Sequence, residues 1–216
     1  MPIFYFVRHA QTEWNLQKRF QGQTGDSPLL PESVAEIDNL SSFLIDKGIS
    51  NIYASPILRA NTTAELINQK ISIGQLENDQ RLMEIDLGNW EGQLINEINE
   101  TTPELYHLYR NHPEKFDFSQ INGEGYQNVQ NRFKSFVSDV LKEKQGDTLI
   151  VSHGAALQAG ISGLLGKPLA NIKELGGLTN LSTTAVKISD NQKIELLYWN
   201  RTDYLDSEDN FENTLQ

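Results

Sequence analysis

Two histidines end apolar runs. His9 follows IFYFV and is preceded by Arg8; His153 follows LIV and lies between Ser152 and Gly154. A third apolar segment, NIYAS at 51–55, is followed by Arg59. An imidazole can attack an electrophile or carry a proton near neutral pH. A guanidinium matches the geometry of oxyanions. A lone histidine at a strand end is usually a hydrogen-bonded structural residue, but here half of the chain's four histidines share the pattern. Two His and two Arg would converge in a chain of formal net charge −11. Buried cations require an anion. No acidic run lies beside these residues, so a bound phosphate is the economical partner. The competing reading is zinc, with Glu84 and Asp86 joining the histidines. The chain has no cysteine and no HxH, HxxxH or HExxH spacing, and Arg8 and Arg59 would repel a cation. No metal and no other cofactor is therefore expected.

These side chains need elements that bring them together. The run at 3–7 is apolar throughout, as in a strand covered on both faces. Residues 15–31 are rich in Gln, Gly, Asp, Ser and Pro and read as a loop. Helical spacing of Val34, Ile37, Leu40, Phe43 and Leu44 predicts a helix over 32–47. A short strand at 51–55 leads into a helix opened by Pro56 and running to about residue 70. Residues 71–92 hold another strand candidate. Residues 93–145 are mostly helical, with segments at 103–111 and 127–144. The second segment carries Val129, Phe133, Phe136, Val137, Val140 and Leu141 on one face. A strand at 148–151, a small-residue helix and a hairpin at 183–188 and 193–199 complete the chain. Alternation of this kind predicts a three-layer α/β/α sandwich around a mostly parallel mixed sheet. Ligands of such sheets bind beyond the carboxyl ends of the strands, where His9 and His153 would face each other.

The chain has 216 residues, 38% hydrophobic and 22% charged. That fits one domain over 1–202, with 93–145 a helical cap inserted in it and 203–216 an acidic tail. The acidic balance argues against nucleic acid or an anionic membrane as a partner. No apolar run approaches the ~18 residues of a membrane span. The N-terminus lacks a basic region and a small-residue cleavage site, so a cytoplasmic protein is expected.

Five blocks extend the pattern. FVRHAQTEWN at 6–15 is similar to the RHGxTxxN signature of the histidine phosphatase superfamily, phosphoglycerate-mutase-like branch. RFQG at 19–22 with DSPL at 26–29 resembles its RxQG…DxPL loop. SPILRANTTA at 55–64, LMEIDLGNWEG at 82–92 and VSHG at 151–154 resemble three further blocks, in order. Together they run from residue 6 to 154. Two departures stand out: Ala10 replaces the usual Gly, and the loop QGQTGDSPL is one residue longer than the common form. A left-handed backbone at position 10 would be strained by alanine.

The resemblance implies the phosphoglycerate-mutase-like fold and a set of roles. His9 would be the nucleophile that becomes a phosphohistidine. Arg8, Arg59 and His153 would hold the phosphoryl oxygens, with Asn15, Gln21, Gly22 and Gly154 as further phosphate or substrate contacts. Glu84 would be the general acid and base, with Asp86 the first substitute. Whether water or a second substrate hydroxyl accepts the phosphoryl group separates a phosphatase from a mutase. Arg110, Lys115 and Arg132 are scattered among acids in the cap, and Lys18 and Arg19 lie in the first loop. Without an evident cationic cluster for a second anionic group, hydrolysis of a small phosphorylated metabolite is the expected reaction. Mutase-type phosphoryl transfer is the alternative. The departures at Ala10 and in the loop also motivate a non-catalytic phospho-ligand-binding protein. Monomer and dimer both remain open.

Overall fold

A computed structural model describes residues 1–189 and 193–205. Part of the hairpin turn, 190–192, and the acidic tail from 206 onward lie outside the described residues. The described chain forms β1 (Ile3–Arg8), α1 (Glu13–Leu16), α2 (Pro31–Leu44), β2 (Ile49–Ala54), α3 (Leu58–Ile71), β3 (Leu76–Asn78), α4 (Ile95–Thr101), α5 (Pro103–Asn111), α6 (Tyr126–Glu143), β4 (Asp147–Ser152), α7 (Gly154–Leu164), β5 (Thr183–Ile188) and β6 (Ile194–Arg201). The six strands make one mixed sheet in the order β3-β2-β4-β1-β5-β6. The first four are parallel; β5 runs antiparallel to β1, and β6 runs antiparallel to β5.

Two cores sandwich this sheet. On one face Phe4, Phe6, Tyr53 and Ile150 pack with α6 and α7. On the other Tyr5, Val7, Ile52, Leu149 and Val151 pack with α2 and α3. The apolar runs are thus buried on both sides, as their composition predicts. Helix α6 buries Val129, Phe133, Phe136, Val137 and Val140, each worth about 2 kcal/mol by transferred apolar area. Leu141 is 37% exposed and does not share that face; it borders an outer cleft instead. The small-residue character of α7 has a packing cause. A Cβ added at Gly160 would lie 2.3 Å from the Phe133 ring, so only glycine lets the two helices approach this closely.

Three local expectations change. The loop at 15–31 is preceded by a helical turn: Thr12 and Asn15 form a reciprocal capping box that starts α1. Helix α3 starts at Leu58, two residues beyond Pro56, because Ile57 is extended and its N–H bonds to Ser55 Oγ at 3.3 Å. Ala10 is fully buried and has no positive φ, so it carries no left-handed strain. At the start of the acidic segment, Tyr204 stacks on Phe43, with ring centroids 4.7 Å apart, and donates to Leu181 O at 2.8 Å.

Candidate active site

The site is built at the carboxyl ends of three adjacent strands. β1 and β4 are parallel neighbours with Arg8 opposite Ser152, which sets the next residues, His9 and His153, side by side. Their ring centroids are 5.3 Å apart. β2 ends beside β4, and Ser55 Oγ lies 2.7 Å from His153 Nε2. The strand order reverses direction between β1 and β4, the topological position at which open sheets form crevices.

His9 is 3% exposed. Its Nδ1 lies 2.7 Å from Ala10 O, so Nδ1 carries the proton and Nε2 keeps a lone pair. Arg59 Nε donates to that Nε2 at 3.3 Å. Burial, reinforced by Arg59 and Arg8, holds the His9 imidazolium well below the usual histidine range. His153 is lowered in the same way, first by burial and then by Arg59 and His9. Both rings are neutral at neutral pH. His153 Nδ1 is buried without a hydrogen-bond partner among the described residues.

The two arginines are held differently. Arg8 Nη1 donates to Leu178 O at 2.6 Å. Burial lowers its guanidinium to about 10, still charged at neutral pH. Arg59 is 1% exposed and stands in the first turn of α3. Its Nη2 donates to Gly22 O at 2.9 Å, and its Nη1 to Gly25 O at 3.0 Å and Asp26 at 3.3 Å. Its terminal nitrogens therefore hold the loop at 22–26, and Nε is the donor turned to the histidines.

Glu84 is 6% exposed and reaches the N-terminus of α7. Oε1 accepts from Ala156 N at 2.7 Å and Ile85 N at 2.8 Å; Oε2 accepts from Ala155 N at 3.2 Å. Burial raises the carboxyl above the usual range and outweighs these donors and the two arginines, which favour the anion. Two long-range contacts place it. Arg132 donates to the carbonyls of Arg81, Met83 and Glu84 at 2.6, 2.7 and 3.1 Å, and Ser152 Oγ donates to Leu82 O at 2.7 Å. Asp86 turns elsewhere: its carboxylate caps Gly88 N at 2.7 Å.

The remaining expected contacts lie around this centre. Asn15 is 1% exposed, with Oδ1 accepting from the Thr12 amide and hydroxyl, each at 3.0 Å. Gln21 Nε2 donates to Thr12 Oγ1 at 2.8 Å. A Cβ at Gly22 would lie 1.8 Å from Glu91 Oε1. Gly154 opens α7 against Arg8. Arg19 is engaged locally, donating to Gly92 O at 2.7 Å and Gln17 at 2.8 Å. Arg8, Gln21, Glu84 and Gly154 line a cavity of about 20 Å³, roughly one water in size. Phe20, Leu87 and Tyr109 form its apolar wall. A larger cleft of about 720 Å³ opens at the opposite ends of β1 and β4, beside Pro2 and Asp147, and holds none of these groups.

Three supports were not legible in the residue pattern. Asn180 Nδ2 donates to His9 O at 2.9 Å. Leu178 serves Arg8 through its carbonyl, which carries no residue-type signal. Glu91 accepts from the amides of Gln23 and Thr24 at 2.8 Å, of Gly25 at 3.0 Å and of Leu87 at 3.2 Å, and from the Thr24 hydroxyl. Glu91 is thereby the anchor of the loop that Arg59 also holds. Its place in the 82–92 block was the available signal. Among the described residues no three His, Asp or Glu side chains form a metal ligand set.

The family model for the histidine phosphatase superfamily (branch 1) matches residues 4–202. Phosphoserine phosphatase 1 of Hydrogenobacter thermophilus is 31% identical over 91% of this chain and 91% of its own length. The protein named "Probable phosphoglycerate mutase GpmB" from Salmonella paratyphi A is 31% identical over 87% of this chain and 86% of its own. A solved mycobacterial glucosyl-3-phosphoglycerate phosphatase, complexed with VO3, superposes with a TM-score of 0.85 at 25% identity. That match covers 94% of this chain and all of the other.

Proposed function

The chain belongs to the histidine phosphatase superfamily, and from that premise we propose that it is a metal-independent phosphomonoester hydrolase working through a phosphohistidine on His9. The observation that carries this reading is the neutral His9, beside the His153 ring, with its Nδ1–H tied to Ala10 O, 2.7 Å away, and its Nε2 turned to Arg59. Such a ring has one nucleophilic lone pair, already aimed.

The proposed reaction has two steps. Nε2 attacks phosphorus while the bond to the leaving oxygen breaks. Arg8, the Arg59 Nε–H and His153 stabilise the charge on the equatorial oxygens. Glu84 delivers a proton to the leaving oxygen. Its Oε1 is doubly bonded by backbone amides, so Oε2, with one longer contact, is the oxygen suited to carry that proton. In the second step Glu84 takes a proton from water as the hydroxide oxygen attacks phosphorus. The P–Nε2 bond breaks, releasing phosphate and neutral His9. Asn15 and the Gly154 amide are further candidate contacts; Gln21 and Gly22 act through the loop.

Hydrolysis is favoured over mutase-type transfer by the engagement of the nearby cations. A mutase must also hold a second anionic group, whereas Arg19 of the first loop is bonded to Gly92 O and Gln17, and Arg132 of the cap to the carbonyls beside Glu84. A purely binding role loses one motive, because Ala10 fits without strain. The substrate class is a small phosphomonoester. The test is release of nitrophenol from p-nitrophenyl phosphate in EDTA at acidic to neutral pH. Expected is EDTA-resistant turnover that His9→Ala abolishes, with an acid-labile phosphoenzyme trapped in wild type alone. Turnover that EDTA removes would overturn the mechanism.

A further inference from the structure

Lys173 lies between a 3-10 turn, Leu169–Asn171, and β5. The reaction above makes no use of it, yet its amine is directed inward, where burial and then the neighbouring Arg110 lower it to about 7. Nζ donates to Tyr109 O at 2.5 Å and Arg110 O at 3.2 Å, and stands 4.5 Å from the Tyr109 ring centroid. Tyr109 and Arg110 belong to the last turn of α5, whose final carbonyls have no partner within the helix. The next carbonyl back, Leu108 O, is taken by His112 N at 2.8 Å. Lys173 thus completes the C-terminal cap of α5 from 64 positions away, at the helix end where a cation is favoured.

The helix end matters because of Tyr109. The residue is 2% exposed, and its ring packs edge-on against Phe20, Trp90 and Phe116, at centroid distances of 5.7, 5.4 and 5.4 Å. It forms part of the apolar wall of the small cavity that Arg8 and Glu84 also line. The segment that carries Lys173 also carries the Arg8 partner, Leu178 O. Between them, Gly176 O accepts from Gln158 Nε2 of α7 at 2.7 Å. One short stretch of chain therefore holds the phosphate-facing arginine at one end and the cap helix at the other.

We propose that Lys173 is a positioning residue for substrate binding: by capping α5 it seats the Tyr109 ring against the space that the ester's leaving group enters. The proposal rests on the phosphatase reading for its kinetic consequence. It acts on the leaving-group wall and not on the histidines, so it belongs to KM and leaves the chemical step alone.

The test compares wild type, Lys173→Met and Lys173→Arg, which respectively keep the donors, keep only the bulk, and keep a cation. Two readouts are taken: kcat and KM for p-nitrophenyl phosphate, and amide hydrogen exchange over 103–111 with β1 and β4 as the reference. Losing the hydrogen bonds to two carbonyls should raise KM about tenfold in Lys173→Met, with kcat within about twofold of wild type. Exchange over 103–111 should accelerate by a similar factor while β1 and β4 stay protected. Lys173→Arg should retain wild-type values in both readouts. Tyr109→Leu should raise KM as Lys173→Met does, and the double variant should add little more. The proposal is overturned by an unchanged KM and exchange in Lys173→Met, by a fall in kcat at constant KM, or by additive KM effects. Loss of protection in β1 and β4 as well would make Lys173 a support of the whole fold and overturn it too. A wild-type chain with no turnover defeats the phosphatase reading alone; the exchange arm still decides whether Lys173 seats α5.

Discussion

Arg59 Nε lies 3.3 Å from His9 Nε2, and both residues are almost wholly buried. The lone pair that would attack phosphorus is thus engaged by the cation that would bind the phosphoryl group. On the proposed mechanism, a phosphoryl oxygen entering between them would take over the guanidinium N–H and free the nitrogen in the same movement. Substrate binding and release of the nucleophile would then be one event. The rest of the guanidinium stays fixed on Gly22 O, Gly25 O and Asp26.

Arg59→Lys tests that division of labour. An ammonium cannot reach His9 and the loop carbonyls together, because it lacks the planar fork. The expected loss in kcat/KM is about 10²-fold or more, with the thermal midpoint also reduced. Steady-state kinetics with p-nitrophenyl phosphate measure it. A Lys variant with near wild-type kcat/KM would show that charge alone suffices.

Glu84→Gln separates proton delivery from binding. With phenyl phosphate, whose leaving group needs a proton, kcat should fall by about 10²–10⁴. With p-nitrophenyl phosphate, a far better leaving group, the fall should be much smaller. Equal losses for both esters would remove Glu84 as the acid. In wild type the first step should weaken as pH rises through the raised Glu84 value. Stability follows the same direction. A carboxyl raised by folding contributes stability that is present below its unfolded value of about 4.5 and lost as pH climbs through the folded one. The melting temperature of Glu84→Gln relative to wild type should therefore climb with pH.

Glu91→Gln tests the loop anchor and has the opposite pH signature. Burial pushes the Glu91 carboxyl up, but the hydrogen bonds from Thr24, Gln23 and Leu87 outweigh it and hold it below the usual range. Its contribution is present above about 4.5 and is lost as pH falls through the lower folded value. The variant should cost about 2 kcal/mol at pH 7, a penalty that shrinks toward pH 4 in thermal melts. Because the anchored loop also holds Arg59, kcat/KM should drop about tenfold. A stability loss with unaltered kinetics would uncouple the loop from the site.

The alternation of apolar runs and amphipathic helices was enough to read the three-layer sandwich. It was also enough to see that His9 and His153 end two strands and that Arg59 opens a helix. These are local facts: hydrophobic period, strand ends and helix starts are written in neighbouring residues. The five blocks added which family those residues match. Local signals stop at the boundaries, so the Thr12–Asn15 capping box before the first loop and the two-residue delay after Pro56 emerged only in the fold.

What tertiary structure alone decided is who touches whom across the chain. Strand order put β4 between β2 and β1 and so made His153 the neighbour of both His9 and Ser55. Arg132 looked like one scattered cation of the cap, yet it reaches back to three carbonyls beside Glu84. Lys173 reaches the end of α5, and Arg8 reaches Leu178 O. The acceptors in these contacts are backbone carbonyls, identical in every residue type. Their alignment depends on packed elements far apart in sequence, and no pattern of side chains records it.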